Sequence, residues 1–222
     1  MKNFLNVLSN IQAIVFTVTS DDCLGRFNRS ALSQQTLMEL FIFGLDEADK
    51  IRGNPDSPSK LCQWNGVKCN KCVREEQVVR FWWSWRNAEG TGTLSFAYLP
   101  WSMRDLSMTN NALSGTINLA DLPEDIVSIN LANNQLTGSL DIDSLQAAMQ
   151  NFCLSNNKFT GEISLITMPE RISNFNLSGN QLSANPTKGH LSVVGWTSTP
   201  VLGEAKNLFK PLVVFLSWRR PY

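Results

Sequence analysis

The 222-residue sequence repeats itself. Met103, Ile126, Met149 and Ile172 stand at steps of 23 residues (103, 126, 149, 172). Writing the chain from each gives MRDLSMTNNALSGTINLADLPED, IVSINLANNQLTGSLDIDSLQAA, MQNFCLSNNKFTGEISLITMPER and the incomplete ISNFNLSGNQLSAN. A period of this length, held without insertion, restricts the chain to stacked coils that bury their apolar side against their neighbours. Positions one, four and six are apolar (Met103, Leu106, Met108; Ile126, Ile129, Leu131; Met149, Phe152, Leu154), and positions four and six alternate like a short strand with one face inward. Position nine is asparagine in all four copies: Asn111, Asn134, Asn157 and Asn180. A side-chain amide donates and accepts, so a column of them can satisfy backbone groups that the turns bury between coils. Position eleven is apolar (Leu113, Leu136, Phe159, Leu182) and position thirteen is Gly115, Gly138 or Gly161, where the chain turns tightly or lacks room for a Cβ. Ile117, Leu140 and Ile163 follow, and Leu122, Leu145 and Met168 close the coil, with Pro123 and Pro169 discouraging a long helix there.

These columns resemble the leucine-rich-repeat family, LxxLxLxxNxLxGxI, in its plant-type variant. The resemblance implies an α/β repeat solenoid: a short arc with a parallel concave sheet, a second strand near each Leu-x-Gly-x-Ile, and a helical N-terminal cap. Stepping back by one period gives a degenerate earlier coil from Arg80 to Ser102. Trp83, Trp85, Gly92, Leu94, Leu99 and Pro100 fall in register there, with Arg80 replacing the first apolar residue and Ala88 the asparagine.

Before the repeats, Cys62-Gln63-Trp64-Asn65-Gly66-Val67-Lys68-Cys69 resembles the C-x-W-x-G-V-x-C end of the same family's cap. Upstream, Ser33 to Asp49 carries a helical apolar face (Leu37, Leu40, Phe41, Leu45), followed by a loop rich in Asn54, Pro55, Ser57 and Pro58. The resemblance implies a Cys62–Cys69 disulfide. Cys72 departs from the pattern and leaves the pairing open, with Cys23–Cys72 as a second bridge. Zinc held by Cys62, Cys69 and Cys72 is a rival that lacks a ready fourth ligand, so no metal is expected.

The expected organisation is a signal peptide or amphipathic segment over 1–20, a cap over 21–78, repeats over 79–185, and a C-terminal cap or tail over 186–222. The N-terminal apolar stretch Ile11–Val18 resembles a secretory leader, although Asn6, Asn10 and Gln12 interrupt the region. No window holds the ~18 consecutive apolar residues of a membrane span. Export would put the chain outside the cell or at its surface; retention would make it a cytoplasmic scaffold. Two sequons, at Asn28 and Asn176, would accept glycans on an exported chain.

Nineteen basic residues balance nineteen acidic ones, which gives no footprint for nucleic acid. The single histidine, His190, has no recognisable nucleophile motif around it, and Cys153 has only amide neighbours, so no active site and no cofactor are expected. The expected activity is recognition, with an enzyme inhibitor on the same fold as a further reading. Outward strand positions give the expected concave face: Trp82, Ser84 and Arg86; Arg104, Asp105, Ser107 and Thr109; Ser128, Asn130 and Ala132; Asn151, Cys153 and Ser155; Asn174, Asn176 and Ser178. Binding energy is expected to concentrate at Trp82 and the Arg104/Asp105 pair, since Trp and Arg dominate hot spots. Such a face suits a protein or peptide partner, with a glycan as the alternative.

Overall fold

The computed structural model describes residues 29–53, 59–71, 76–86, 90–165 and 168–184. The leader, Cys23, Asn28, the 54–58 loop, Cys72, Ala88, His190 and the 186–222 segment lie outside the described residues.

Each repeat forms one coil. Its first strand is three residues long and alternates inward and outward: β4 (Asp105–Ser107), β6 (Ser128–Asn130), β8 (Asn151–Cys153) and β10 (Asn174–Asn176). Leu106, Ile129, Phe152 and Phe175 point inward and are buried. The strands pair in parallel at a constant step, Leu106 with Ile129, Ile129 with Phe152, and Phe152 with Phe175. Two further strands precede them: β1 (Val67–Lys71) and β2 (Glu76–Trp82). β2 joins β4 in parallel and β1 joins β2 antiparallel, completing a six-stranded sheet, β1-β2-β4-β6-β8-β10.

The Leu-x-Gly-x-Ile segments build the second sheet: β3 (Thr91–Thr93), β5 (Ala112–Ser114), β7 (Thr137–Gly138), β9 (Lys158–Ile163) and β11 (Gln181–Ala184). They pair β3-β5 and β7-β9-β11, and a Thr116–Thr137 bridge joins the two groups. The repeat glycines make this packing possible. Gly138 has φ 92°, and a Cβ there would lie 2.8 Å from Thr116 Cγ2. Single 3₁₀ turns (Phe96–Tyr98, Leu119–Asp121, Ile142–Ser144) close the coils and insert Phe96, Leu119 and Ile142 into the core.

The cap covers the first coil at both sheets. The predicted Ser33–Asp49 helix is two helices, α1 (Gln34–Phe43) and α2 (Ala48–Arg52), broken at Gly44. Ser33 caps α1 by accepting from the Thr36 N–H at 3.1 Å. The buried face is Leu37, Met38, Phe41 and Ile42; Leu40 is only partly covered and Leu45 lies beyond the helix. The break has a tertiary cause. The Thr93 N–H donates to the Gly44 carbonyl at 2.8 Å, Leu45 bridges Gly92, and a Cβ on Gly44 would fall 2.4 Å from the Thr93 oxygen. The chain leaves the helix to extend the second sheet while β1 extends the first. Cys62 and Cys69 are disulfide-bonded, with Cα atoms 5.6 Å apart, and tie the turn Leu61–Gln63 to β1. Among the described residues, no helix is long and apolar enough to cross a membrane.

Candidate ligand-binding face

Two asparagine columns hold the strand ends. Asn134 Nδ2 donates to the Met108 and Leu131 carbonyls at 2.9 and 3.0 Å, while its Oδ1 accepts from the Leu113 N–H at 3.1 Å. Asn157 and Asn180 repeat this with their own coils, and each is buried. Asn111 donates to the Trp83 and Met108 carbonyls and accepts from the Arg86 N–H at 2.9 Å. A second, exposed column lies one position earlier: Asn133 Nδ2 donates to Asn110 Oδ1 at 3.0 Å, and Asn156 Nδ2 to Asn133 Oδ1 at 2.7 Å. Its members have φ of 55°, 58° and 55°, the left-handed region that asparagine tolerates better than most residues. The Asn-Asn pairs in the sequence were the available signal for this column.

The first coil departs from the 23-residue register of the others. Phe81 pairs with Leu106 and Arg80 with Asp105, a step of 25 instead of 23. Val78, Phe81 and Trp83 therefore fill the inward positions, and all three are buried. Gly92 keeps the 23-residue step, so the coil carries two extra residues between its strand and its glycine. Trp85 does not enter the core: it is 72% exposed and sits at φ 65°, in the left-handed site that asparagine fills in the later coils. Arg86 is not on the strand. It occupies the position of the ladder asparagine, and its guanidinium lies 4.0 Å over the Trp83 ring. Arg80, read from the sequence as an inward residue, faces outward instead.

With this register the outward columns of the long sheet are Lys68–Arg80–Asp105–Ser128–Asn151–Asn174 and Trp82–Ser107–Asn130–Cys153–Asn176. Trp82 is 53% exposed, and the Arg80 guanidinium lies 4.4 Å over its ring. Arg80 also pairs with Asp105 at 3.3 Å. Arg104 is exposed one residue before β4. The third outward column is partly closed. Ser84 accepts from the Thr109 N–H at 3.0 Å, whereas Ala132 and Ser155 are buried. Asn130 and Asn176 each turn Oδ1 onto a backbone N–H two residues on, that of Ala132 or Ser178. Cys153, a free thiol, contacts the Ser155 hydroxyl at 3.4 Å. At the β1 edge a cavity of about 410 Å³ lies against the disulfide, lined in part by Lys60, Lys68 and Glu76. Among the described residues, no group of three or more His, Cys, Asp or Glu side chains is placed to hold a metal ion.

The coil stack, paired sheets and asparagine ladder define a plant-type leucine-rich-repeat fold. No family model and no curated protein matches the chain. Solved structures do. The ectodomain of the receptor kinase SOBIR1 from Arabidopsis thaliana superposes with TM-score 0.54 at 18% identity, over 68% of this chain and 81% of that one. A chain of the Arabidopsis thaliana BIR3–SERK2 complex gives 0.53 at 24%, over 68% and 84%. The Arabidopsis receptor kinase HAESA, in complex with the peptide hormone IDA and the co-receptor SERK1, gives 0.52 at 23%, over 70% of this chain and 26% of that one. At these identities the similarity establishes the fold.

Proposed function

We propose that the chain is a recognition module, exported to the cell exterior or surface, that binds a protein or peptide on its long sheet. The observation that carries this reading is the outward face of that sheet. It has no covering element among the described residues, and it presents a half-exposed tryptophan stacked by an arginine at one end and amides and hydroxyls along the rest. Aromatic and arginine anchors with polar surroundings are the composition of binding hot spots. Trp82, Ser84, Arg104, Asp105, Ser107, Thr109, Ser128, Asn130, Asn151, Cys153, Asn174 and Asn176 form the proposed face, with Arg80 added and Arg86 moved to its edge. Its side chains bind and orient; recognition, not turnover, is the role.

Two observations support export. The Cys62–Cys69 disulfide persists in oxidising compartments and is rare where thiols are kept reduced. Two of the similar structures are a receptor-kinase ectodomain and a receptor kinase bound to a peptide hormone. On an exported chain the Asn176 sequon would be available, and a glycan there would cover the far end of the face.

Peptide mapping by mass spectrometry, without reduction and on protein from its native source, tests the location. The expected result is a Cys62–Cys69 bridged peptide and an N-terminus near Asp21. Free thiols with Met1 retained would place the chain inside the cell as a scaffold.

A further inference from the structure

We propose that the partner lays an acidic, extended peptide segment across the cap end of the long sheet, with its carboxylates over Lys68, Arg80 and Arg104. The proposal rests on the reading of that sheet as the binding face and names the chemistry the face accepts.

Charge is unevenly placed. In the whole chain basic and acidic residues are equal in number. Yet the outward positions of β6, β8 and β10 are Ser128, Asn130, Asn151, Cys153, Asn174 and Asn176, without a single charge. All the charge of the face is at its other end. Lys68 lies directly opposite Arg80 and Arg80 opposite Asp105, while the exposed Arg104 directly precedes Asp105 in the chain. Arg86 stands at the edge of this region and Lys60 in the adjoining cavity, with Asp105 and Glu76 as the opposing carboxylates. Asp105 is engaged by Arg80, whereas Lys68 and Arg104 are exposed and make no ion pair among the described residues. The cap end thus offers surplus positive charge beside an exposed tryptophan, and complementary charge sets orientation and encounter rate at such a face.

The shape favours an extended chain. Strands about 4.8 Å apart make the crossing from β1 to β10 about 24 Å, the length of about seven extended residues. Acidic residues would bind over β1, β2 and β4, Trp82 would cover an apolar side chain between them, and the uncharged strands would take a neutral continuation. The 25-residue step into the first coil is what turns Arg80 outward, beside Lys68.

The test is fluorescence anisotropy on the whole, oxidised chain with three labelled decapeptides in which glycine alternates with aspartate, asparagine or lysine. The aspartate peptide should bind at least about tenfold more tightly than the asparagine peptide and the lysine peptide not at all, and raising salt from ~50 to ~500 mM should erase the difference. The double variant Lys68→Gln/Arg104→Gln changes two exposed residues and should remove the preference with its circular dichroism unchanged. Equal binding of all three peptides, lost on Trp82→Ala, would overturn the acidic assignment and leave the sheet as the binding face. An acidic preference indifferent to every substitution on this sheet would overturn both. Absence of binding by any peptide, or tighter binding of a heparin oligosaccharide than of the aspartate peptide, would overturn the peptide assignment.

Discussion

One asparagine per coil closes three backbone bonds at once. Asn134 joins two carbonyls and one N–H from two coils while only 8% exposed, so no water can replace it readily. Asn134→Ala should cost about 2–4 kcal/mol, since several buried groups would lose partners at about 1–3 kcal/mol each and such losses are not additive. Asn133 is exposed and should cost less than about 1.5 kcal/mol as alanine; urea denaturation of both variants measures the contrast. Trp85 carries the opposite expectation. A bulky residue at φ 65° is strained, so Trp85→Asn should raise stability by about 1 kcal/mol. A lower denaturation midpoint for that variant would show that the tryptophan makes packing contacts that outweigh the strain. The buried asparagine column was legible in the sequence because a fixed spacing of one residue type in every copy leaves few alternatives. The outward Arg80 is masked in the sequence, because Gly92, Leu94 and Leu99 keep the 23-residue step and pull the alignment of the preceding strand two residues out of place. The apolar template itself was there to be matched at Val78, Phe81 and Trp83.

The cap is the element that makes the first coil tolerable to water. It extends the long sheet through β1 and the second sheet through Leu45, so neither edge of that coil ends in bare backbone. Its helix was legible as an apolar face, but its end was not. Gly44 breaks the helix because Thr93, remote in sequence, reaches its carbonyl, and only the fold places that neighbour. Gly44→Ala should therefore destabilise the chain by about 2 kcal/mol or more, although alanine is the better helix former. A neutral result in thermal unfolding would mean that the contact yields cheaply. Removing the bridge with Cys62→Ser/Cys69→Ser opens a short loop and should cost about 2–3 kcal/mol. Amide exchange should rise first over β1 and α2 and only weakly over β8 and β10, because a solenoid passes stability between neighbouring coils.

At the scale of the molecule, the regular period makes the coils interchangeable. Deleting residues 126–148 removes one whole coil and joins equivalent positions, so the shortened chain should fold with a lower midpoint, whereas deleting 126–136 removes half a coil and should abolish cooperative folding. The same regularity supplies a broad exposed sheet whose charged and aromatic groups gather at the cap, and this is the sheet proposed to meet the partner. A photo-crosslinking amino acid placed at Ser107, on the long sheet, and separately at Thr160, on the second sheet, tests that claim on the chain presented outside its source cells. Ser107 should capture a discrete crosslinked partner, lost in the Trp82→Ala background, and Thr160 none. A partner captured from Thr160 alone would put the binding surface on the second sheet instead.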